Sequence, residues 1–203
     1  DTVRFFNGLR RNNEREWFLA HKAEFEEGWN APMKLLLAEV RDAIDDAFPH
    51  CDLGEPKVFR IFRDVRFSKD KSPYKTAVSA SFAWSGEGGG VGGYFHLAPG
   101  EVFVGGGMWH PSPARLAAWR RAVVEDRGAV HAIIDDPAFA SAFGRLDGER
   151  LKRAPAGHRA DDPDLELLQL KDVTFGHRLV DAEVASRELP ATIAGTLERA
   201  VPL

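Results

Sequence analysis

Cysteine is nearly missing from this chain: Cys51 is the only one. A lone thiol excludes an intrachain disulfide framework and any zinc site built on several thiolates, and it suits a reducing compartment. No apolar run approaches the roughly 20 residues that a membrane-spanning helix needs. No signal-peptide pattern opens the sequence, and because it begins at Asp1 rather than Met, further residues upstream are expected. Net positive charge is also lacking. The chain carries −4, which argues against general affinity for nucleic acid or anionic membrane, since binders of polyanions usually carry net positive charge. Short catalytic signatures are missing as well. There is no P-loop, no H-E-x-x-H and no G-x-S-x-G. Gly88, Gly90 and Gly93 do satisfy G-x-G-x-x-G, but the dinucleotide motif needs a helix after it, and here a strand is expected to follow.

What is present is enough for one sizeable core or at most two small ones: 203 residues, 44% hydrophobic. The N-terminal part, 1–49, reads as helical. Asn13 with Glu16 three residues later is a capping-box pattern, and Asn30 is expected to cap the next helix, with Pro49 ending it. Met33, Leu36, Leu37, Val40, Ile44 and Phe48 follow at steps of three and four. The period then changes. Val58–Phe62 and Thr76–Trp84 are rich in β-branched and aromatic residues, and Tyr94–Leu97 and Glu101–Val104 flank the turn signal Pro99–Gly100, which predicts a hairpin. The triple glycine Gly105–Gly107 is expected to close it. Ser112 and Pro113 then start a helix, Pro137 marks shorter ones, Leu165–Leu170 is a short helix or extended run, Val173–Val180 is a strand, and Ala191–Val201 is a last helix. The expected fold is α+β: a single domain over 1–203 with N-terminal helices, a mainly antiparallel sheet within 57–108, and mixed helices with a late strand over 112–203.

Against the acidic background, 57–75 is a reversal. It holds seven cations (Lys57, Arg60, Arg63, Arg66, Lys69, Lys71 and Lys75) and two carboxylates (Asp64 and Asp70), a local net of +5 that leaves −9 on the rest of the chain. Phe59, Ile61, Phe62, Val65 and Phe67 are interleaved with the charges, so burying them brings arginines toward the core. A buried guanidinium needs a carboxylate or a bound anion. Either the arginines hold an outside anion, or carboxylates elsewhere in the protein cover them. In the first case Arg60, Arg63 and Arg66 supply charge, Lys71, Tyr74 and Lys75 close over the ligand, and Asp64 orients an arginine. Trp109, beside the triple glycine, is a further candidate for the pocket wall. His96, Asp70 and Asp64 are the candidates for proton transfer. His96 and His110 with Asp64, Asp70 or Asp161 would be the candidate metal ligands, but the spacing matches no metal signature and no metal site is expected. Cys51 and most of the tryptophans read as structural.

Four stretches occur in order: "NNEREWF" (Asn12–Phe18), "FRIFRDVRFSKDKSPYK" (Phe59–Lys75), "GGYFHLAPGEVFVGGGMW" (Gly92–Trp109) and "LKRAPAG…DDPDLELLQLK" (Leu151–Lys171). Together they resemble the domain-of-unknown-function family 2461, a conserved bacterial and fungal family, over nearly the whole chain. The resemblance implies a single-domain cytoplasmic bacterial protein and no particular activity. The family pattern has a His–Pro pair where this chain has Asp162–Pro163 and a Tyr where it has His158, so no catalysis is assigned to 157–163. The family pattern also extends slightly past "AVPL". The functional expectation is a phosphate or carboxylate pocket on 57–75. If catalytic, it would serve hydrolysis or group transfer at a phosphorylated substrate, chemistry that rests on positioning and charge. The alternative is a non-enzymatic module docking an acidic protein segment or a nucleic-acid backbone. No cofactor is expected. The expected partner is a small anionic ligand, with no membrane association, and nucleic acid is not favoured.

Overall fold

The computed structural model describes residues 2–47, 54–83 and 91–199. Five strands form an antiparallel meander whose spatial order is their chain order: β1 (Lys57–Val58), β2 (Val78–Ala83), β3 (Val91–Ala98), β4 (Glu101–Met108) and β5 (Val173–Arg178). Helices precede, interrupt and follow them, so the protein is α+β, as the change of period predicts. The expected hairpin is β3–β4, turning at Pro99–Gly100 with Gly100 at a φ of +75°, a conformation glycine adopts without steric cost. The triple glycine does not close that hairpin. Gly105–Gly107 lie inside β4, paired to β3 on one side and β5 on the other. Crowding between strands is the reason: Gly107 has a φ of +111°, and a Cβ there would sit 2.1 Å from the Val173 carbonyl oxygen.

Register decides what each face carries, because side chains alternate across a strand. Val78, Ala80 and Phe82 of β2 share a face with Phe95 of β3 and with Val102 and Val104 of β4. Helices α1 (Thr2–Arg11), α4 (Ala31–Ala47) and α10 (Leu189–Glu198) cover that face with Phe6, Leu9, Val40, Ile44, Ile193 and Leu197, none more than 1% exposed. Each such side chain contributes roughly 1.5–3 kcal/mol. The same face continues to Val173 and Phe175 of β5. There it meets a second apolar cluster from α5 (Pro113–Glu125), α6 (Arg127–Ile134), α7 (Pro137–Phe143) and α8 (Leu165–Leu168), which contribute Trp119, Val130, Phe139 and Leu168. The opposite face carries Ser79, Ser81, Tyr94, His96, Phe103 and Arg178, and neither apolar cluster includes any of them.

Two expected helix caps are used otherwise. Asn13 precedes Glu14, the residue from which α2 (Arg15–Ala20) starts. Asn30 lies inside a continuous rod: α3 (Lys22–Phe25) passes through one π-helical turn, Glu26–Asn30, into α4, and Asn30 donates to Glu26 at 2.6 Å. Ser112 does cap α5, accepting from the Arg115 amide at 3.3 Å, and Asp136 caps α7 through the amides of Ala138 and Phe139. A short α9 (Asp181–Val184) links β5 to α10. The expectations for Phe48, Pro49, Cys51, Trp84, Gly88, Gly90 and Val201 fall outside the described residues. Among those described, no helix is long and apolar enough to cross a membrane.

Candidate functional site

The basic motif folds as two arms and a tip. After β1 the chain bonds back to β2 through the Phe59 amide and the Ser79 carbonyl at 2.8 Å. The arms then pair with each other: Lys75 N–H donates to Ile61 at 2.7 Å, Arg63 N–H donates to Pro73 at 2.9 Å, and Phe62 bridges Tyr74. This pairing sets Arg63, opposite Pro73, and Lys75, opposite Ile61, only two rungs apart, although twelve positions separate them in sequence. Asn13 fastens the second arm to the N-terminal helices. Its amide donates to the Tyr74 carbonyl at 2.9 Å and its oxygen accepts from the Tyr74 N–H at 3.0 Å.

The tip neutralises part of its own charge. Arg66 makes a two-pronged pair with Asp64, at 3.0 and 2.7 Å, and holds that carboxyl below its ordinary range. Lys71 donates to the Val65 carbonyl at 2.9 Å. Asp70 accepts from the Ser72 hydroxyl at 2.6 Å, from the Ser72 amide at 2.9 Å and from Arg63, and these bonds hold it well below the usual carboxylate range. Phe67, between Arg66 and Lys69, is 96% exposed.

Between the arms and the open face of the sheet lies a cleft of about 650 Å³, a size typical of small-molecule sites. Arg63, Lys75 and Arg10 of α1 supply its positive charge, and among the described residues Asp70 is the one carboxylate in its wall. Among the described residues no carboxylate pairs with Lys75 or Arg10. Burial and the neighbouring charge of Arg60 together pull the Lys75 ammonium below its ordinary value, the mark of a cation short of counter-charge. Lys75 also lies over the Phe59 ring, 5.3 Å from its centroid. The floor is Tyr94 and His96 of β3. The Tyr94 hydroxyl is 3.2 Å from His96 Nδ1, and burial lowers the histidine below 6.5, so it is neutral at pH 7.

Of the seven ligand-binding candidates, the cleft thus gathers Arg63, Tyr74 and Lys75. Tyr74 contributes to the wall with its ring buried and stacked on Phe18 at 4.3 Å. Arg60 acts on the cleft only through its charge on Lys75. Arg66 and Lys71 are engaged within the tip, and Trp109 follows β4 at the end remote from the cleft, packed edge-on against His110. Of the proton-transfer candidates, His96 and Asp70 line the cleft, and Asp64 does not. Tyr94, Phe59, Ser79 and Arg10 were not legible as site residues. The hairpin register about Pro99–Gly100 holds the signal for Tyr94 and His96, since it places them opposite Gly105 and Phe103 on one face.

A second cleft of about 520 Å³ separates α1 from α2, with Trp17 stacked on His21 at 3.9 Å and Arg4 and Arg11 at its rim, and no residue of the basic motif reaches it. Among the described residues no three His, Cys, Asp or Glu side chains are grouped so as to hold a metal ion.

No curated protein sequence and no solved structure matches the chain. One family model does match, over residues 1–203, a span that includes all four stretches quoted above. The chain therefore belongs to the family described as conserved hypothetical protein, DUF2461.

Proposed function

We propose that the cleft between the basic motif and the open sheet face binds a small ligand through a phosphate or carboxylate group. The observation that carries this reading is the charge of the lining. Three cations face one carboxylate, and that carboxylate is already held by Ser72 and Arg63. An anion would supply the counter-charge that Lys75 lacks and accept from the Arg63 guanidinium. If the site is catalytic, His96 is the group for proton transfer, because it lines the cleft neutral while Asp70 and Asp64 are held ionised. Hydrolysis or group transfer at a phosphorylated substrate suits that arrangement.

Thermal shift with a panel of phosphorylated and carboxylated metabolites tests the reading. A ligand present at one hundred times its Kd raises Tm by roughly 5–10 °C for a chain of this size. Lys75→Ala abolishes the shift. Absence of a shift from every anion at millimolar concentration overturns the proposal.

Phe67 favours a second reading. In a module that docks an acidic protein segment or a nucleic-acid backbone, Phe67, held almost fully in solvent with the Arg66 guanidinium 5.8 Å from its ring, would add an apolar contact to the charges of Arg66, Lys69 and Lys71. Such docking weakens steeply with salt, whereas ligand binding in a partly enclosed cleft responds less. Phe67→Ser removes the docking and leaves small-anion binding intact.

A further inference from the structure

The floor of the cleft is the wrong kind of surface for an anion alone. The sheet face not covered by helices should alternate toward polar side chains. Instead it presents Tyr94, His96 and Phe103 as a half-buried aromatic strip, with Phe59 facing Tyr94 from the motif. His96 stacks on Phe103 at 4.9 Å, Tyr94 lies 5.6 Å from Phe103, and Phe59 lies 6.2 Å from Tyr94. On either side of Tyr94 the register places Ser81 and Gly105, and beyond Gly105 comes Gly176. Directly across the strands, therefore, no large side chain flanks Tyr94, and its aromatic neighbours His96 and Phe103 lie along and diagonal to it. Thr76 and Ser79 line the same cleft, and among the described residues neither hydroxyl has a hydrogen-bond partner, although Ser79 is only 6% exposed.

We propose that the ligand is a nucleoside monophosphate, its phosphate held by Arg63, Lys75 and Arg10 and its base laid against the aromatic floor. This rests on the anion reading and names the class of molecule. Each part of the cleft has a counterpart in that ligand. Three cations less one carboxylate leave about two positive charges, the match for a phosphate monoester, which carries about −1.5 to −2 at pH 7. Aromatic side chains accept any base by its π-face. The Thr76 and Ser79 hydroxyls are both donors and acceptors, suited to ribose hydroxyls or a base edge. Charge also sets the ligand's length. Outside 57–75 the chain sums to −9, so a nucleic-acid strand leaving the cleft would run over an acidic protein.

Isothermal titration of the wild-type chain with four matched probes tests this: a set of nucleoside 5′-monophosphates, their nucleosides, ribose 5-phosphate and a short oligonucleotide. The expected result is that at least one nucleotide binds tenfold or more tighter than ribose 5-phosphate, the gain stacking provides, and that the oligonucleotide binds no tighter than the nucleotide. Tyr94→Leu removes that advantage and leaves ribose 5-phosphate unchanged, Tyr94→Phe keeps it, and Lys75→Ala weakens both ligands. Equal binding of nucleotide and ribose 5-phosphate sinks the nucleotide assignment and leaves the anion cleft standing. Binding of neither sinks both. Affinity that grows with oligonucleotide length also overturns the assignment. The decisive comparison is made on wild-type protein and does not depend on any variant folding.

Discussion

Asn13 uses both ends of its carboxamide on one backbone residue, accepting from the Tyr74 N–H and donating to the Tyr74 carbonyl. It thereby does what a neighbouring strand would do, on the edge of the second arm that faces away from the first. Tyr74 is 3% exposed, so deleting the amide leaves a backbone donor and acceptor unpaired away from water. Asn13→Ala is expected to cost about 2 kcal/mol in urea denaturation. Asn13→Asp recovers only part of that, since a carboxylate accepts from the N–H but cannot donate to the carbonyl. An unchanged midpoint in both variants would show that the arm is held by the stack of Tyr74 on Phe18 alone. This role was not legible locally. Asn13 followed by Glu16 reads as a capping box, and the partner that wins the amide lies 61 residues away. The division of the motif's cations was hidden for a related reason. The local net of +5 could be counted, but which arginine faces a ligand depends on how the tip folds back. Asp64 takes Arg66 two residues on, and Asp70 takes Arg63 seven residues back.

At the scale of elements, β4 shows how strand pairing overrode a turn signal. Glycine-rich stretches mark turns because glycine reaches conformations other residues do not. In β4 the same property lets β5 approach, and pairing on both sides keeps the segment extended. Gly107→Ala puts a methyl group against the Val173 carbonyl and forces an unfavourable φ, at an expected cost of about 3 kcal/mol. Gly128→Ala on α6 is the control, because nothing lies within 4 Å of its added Cβ, and it is expected to be neutral or to gain up to about 1 kcal/mol. Equal effects in a chemical melt would refute the crowding argument. The hairpin itself was legible from Pro99–Gly100, as were α5 from Ser112–Pro113 and the helices around Pro137, because each signal is local and each is answered within a few residues. β1 was overestimated from Val58–Phe62, since only Lys57 and Val58 hold the β2 ladder, with one further bond from the Phe59 amide, before the chain leaves to build the motif arms.

Across the whole molecule, two histidines set opposite limbs of the stability profile. His96 stands in the cleft beside Tyr94, with Glu101 the nearby carboxylate, and burial lowers it below its ordinary 6.5. As pH falls from 6.5, the unfolded chain takes up that proton first, so stability drops toward acid. His131 on α6 lies between Asp135 and Asp164, each 2.8 Å away, and Arg127 pairs with the same Asp164 and with Asp162. Hydrogen bonds to Asp135 and Asp164 raise His131 above 6.5. Its contribution is therefore complete below 6.5 and is lost as pH rises through the folded value. Asp70 acts elsewhere: its bonds contribute above the ordinary carboxylate value of 3.8 and fade only below it. Urea denaturation across pH 5–8 is accordingly expected to show greatest stability near pH 6.5. His131→Gln flattens the alkaline limb alone, and His96→Gln flattens the acidic limb alone. Saturating sulfate, an anion whose charge is constant across pH 5–8, would divide the two limbs further. An anion in the cleft favours protonated His96 and raises it toward 6.5, so the acidic limb shallows. His131 belongs with the second apolar cluster, away from the cleft, and keeps its limb unchanged. An acidic limb that keeps its slope while the whole profile rises would mean that the anion binds and stabilises the fold without acting through His96, and would place it elsewhere.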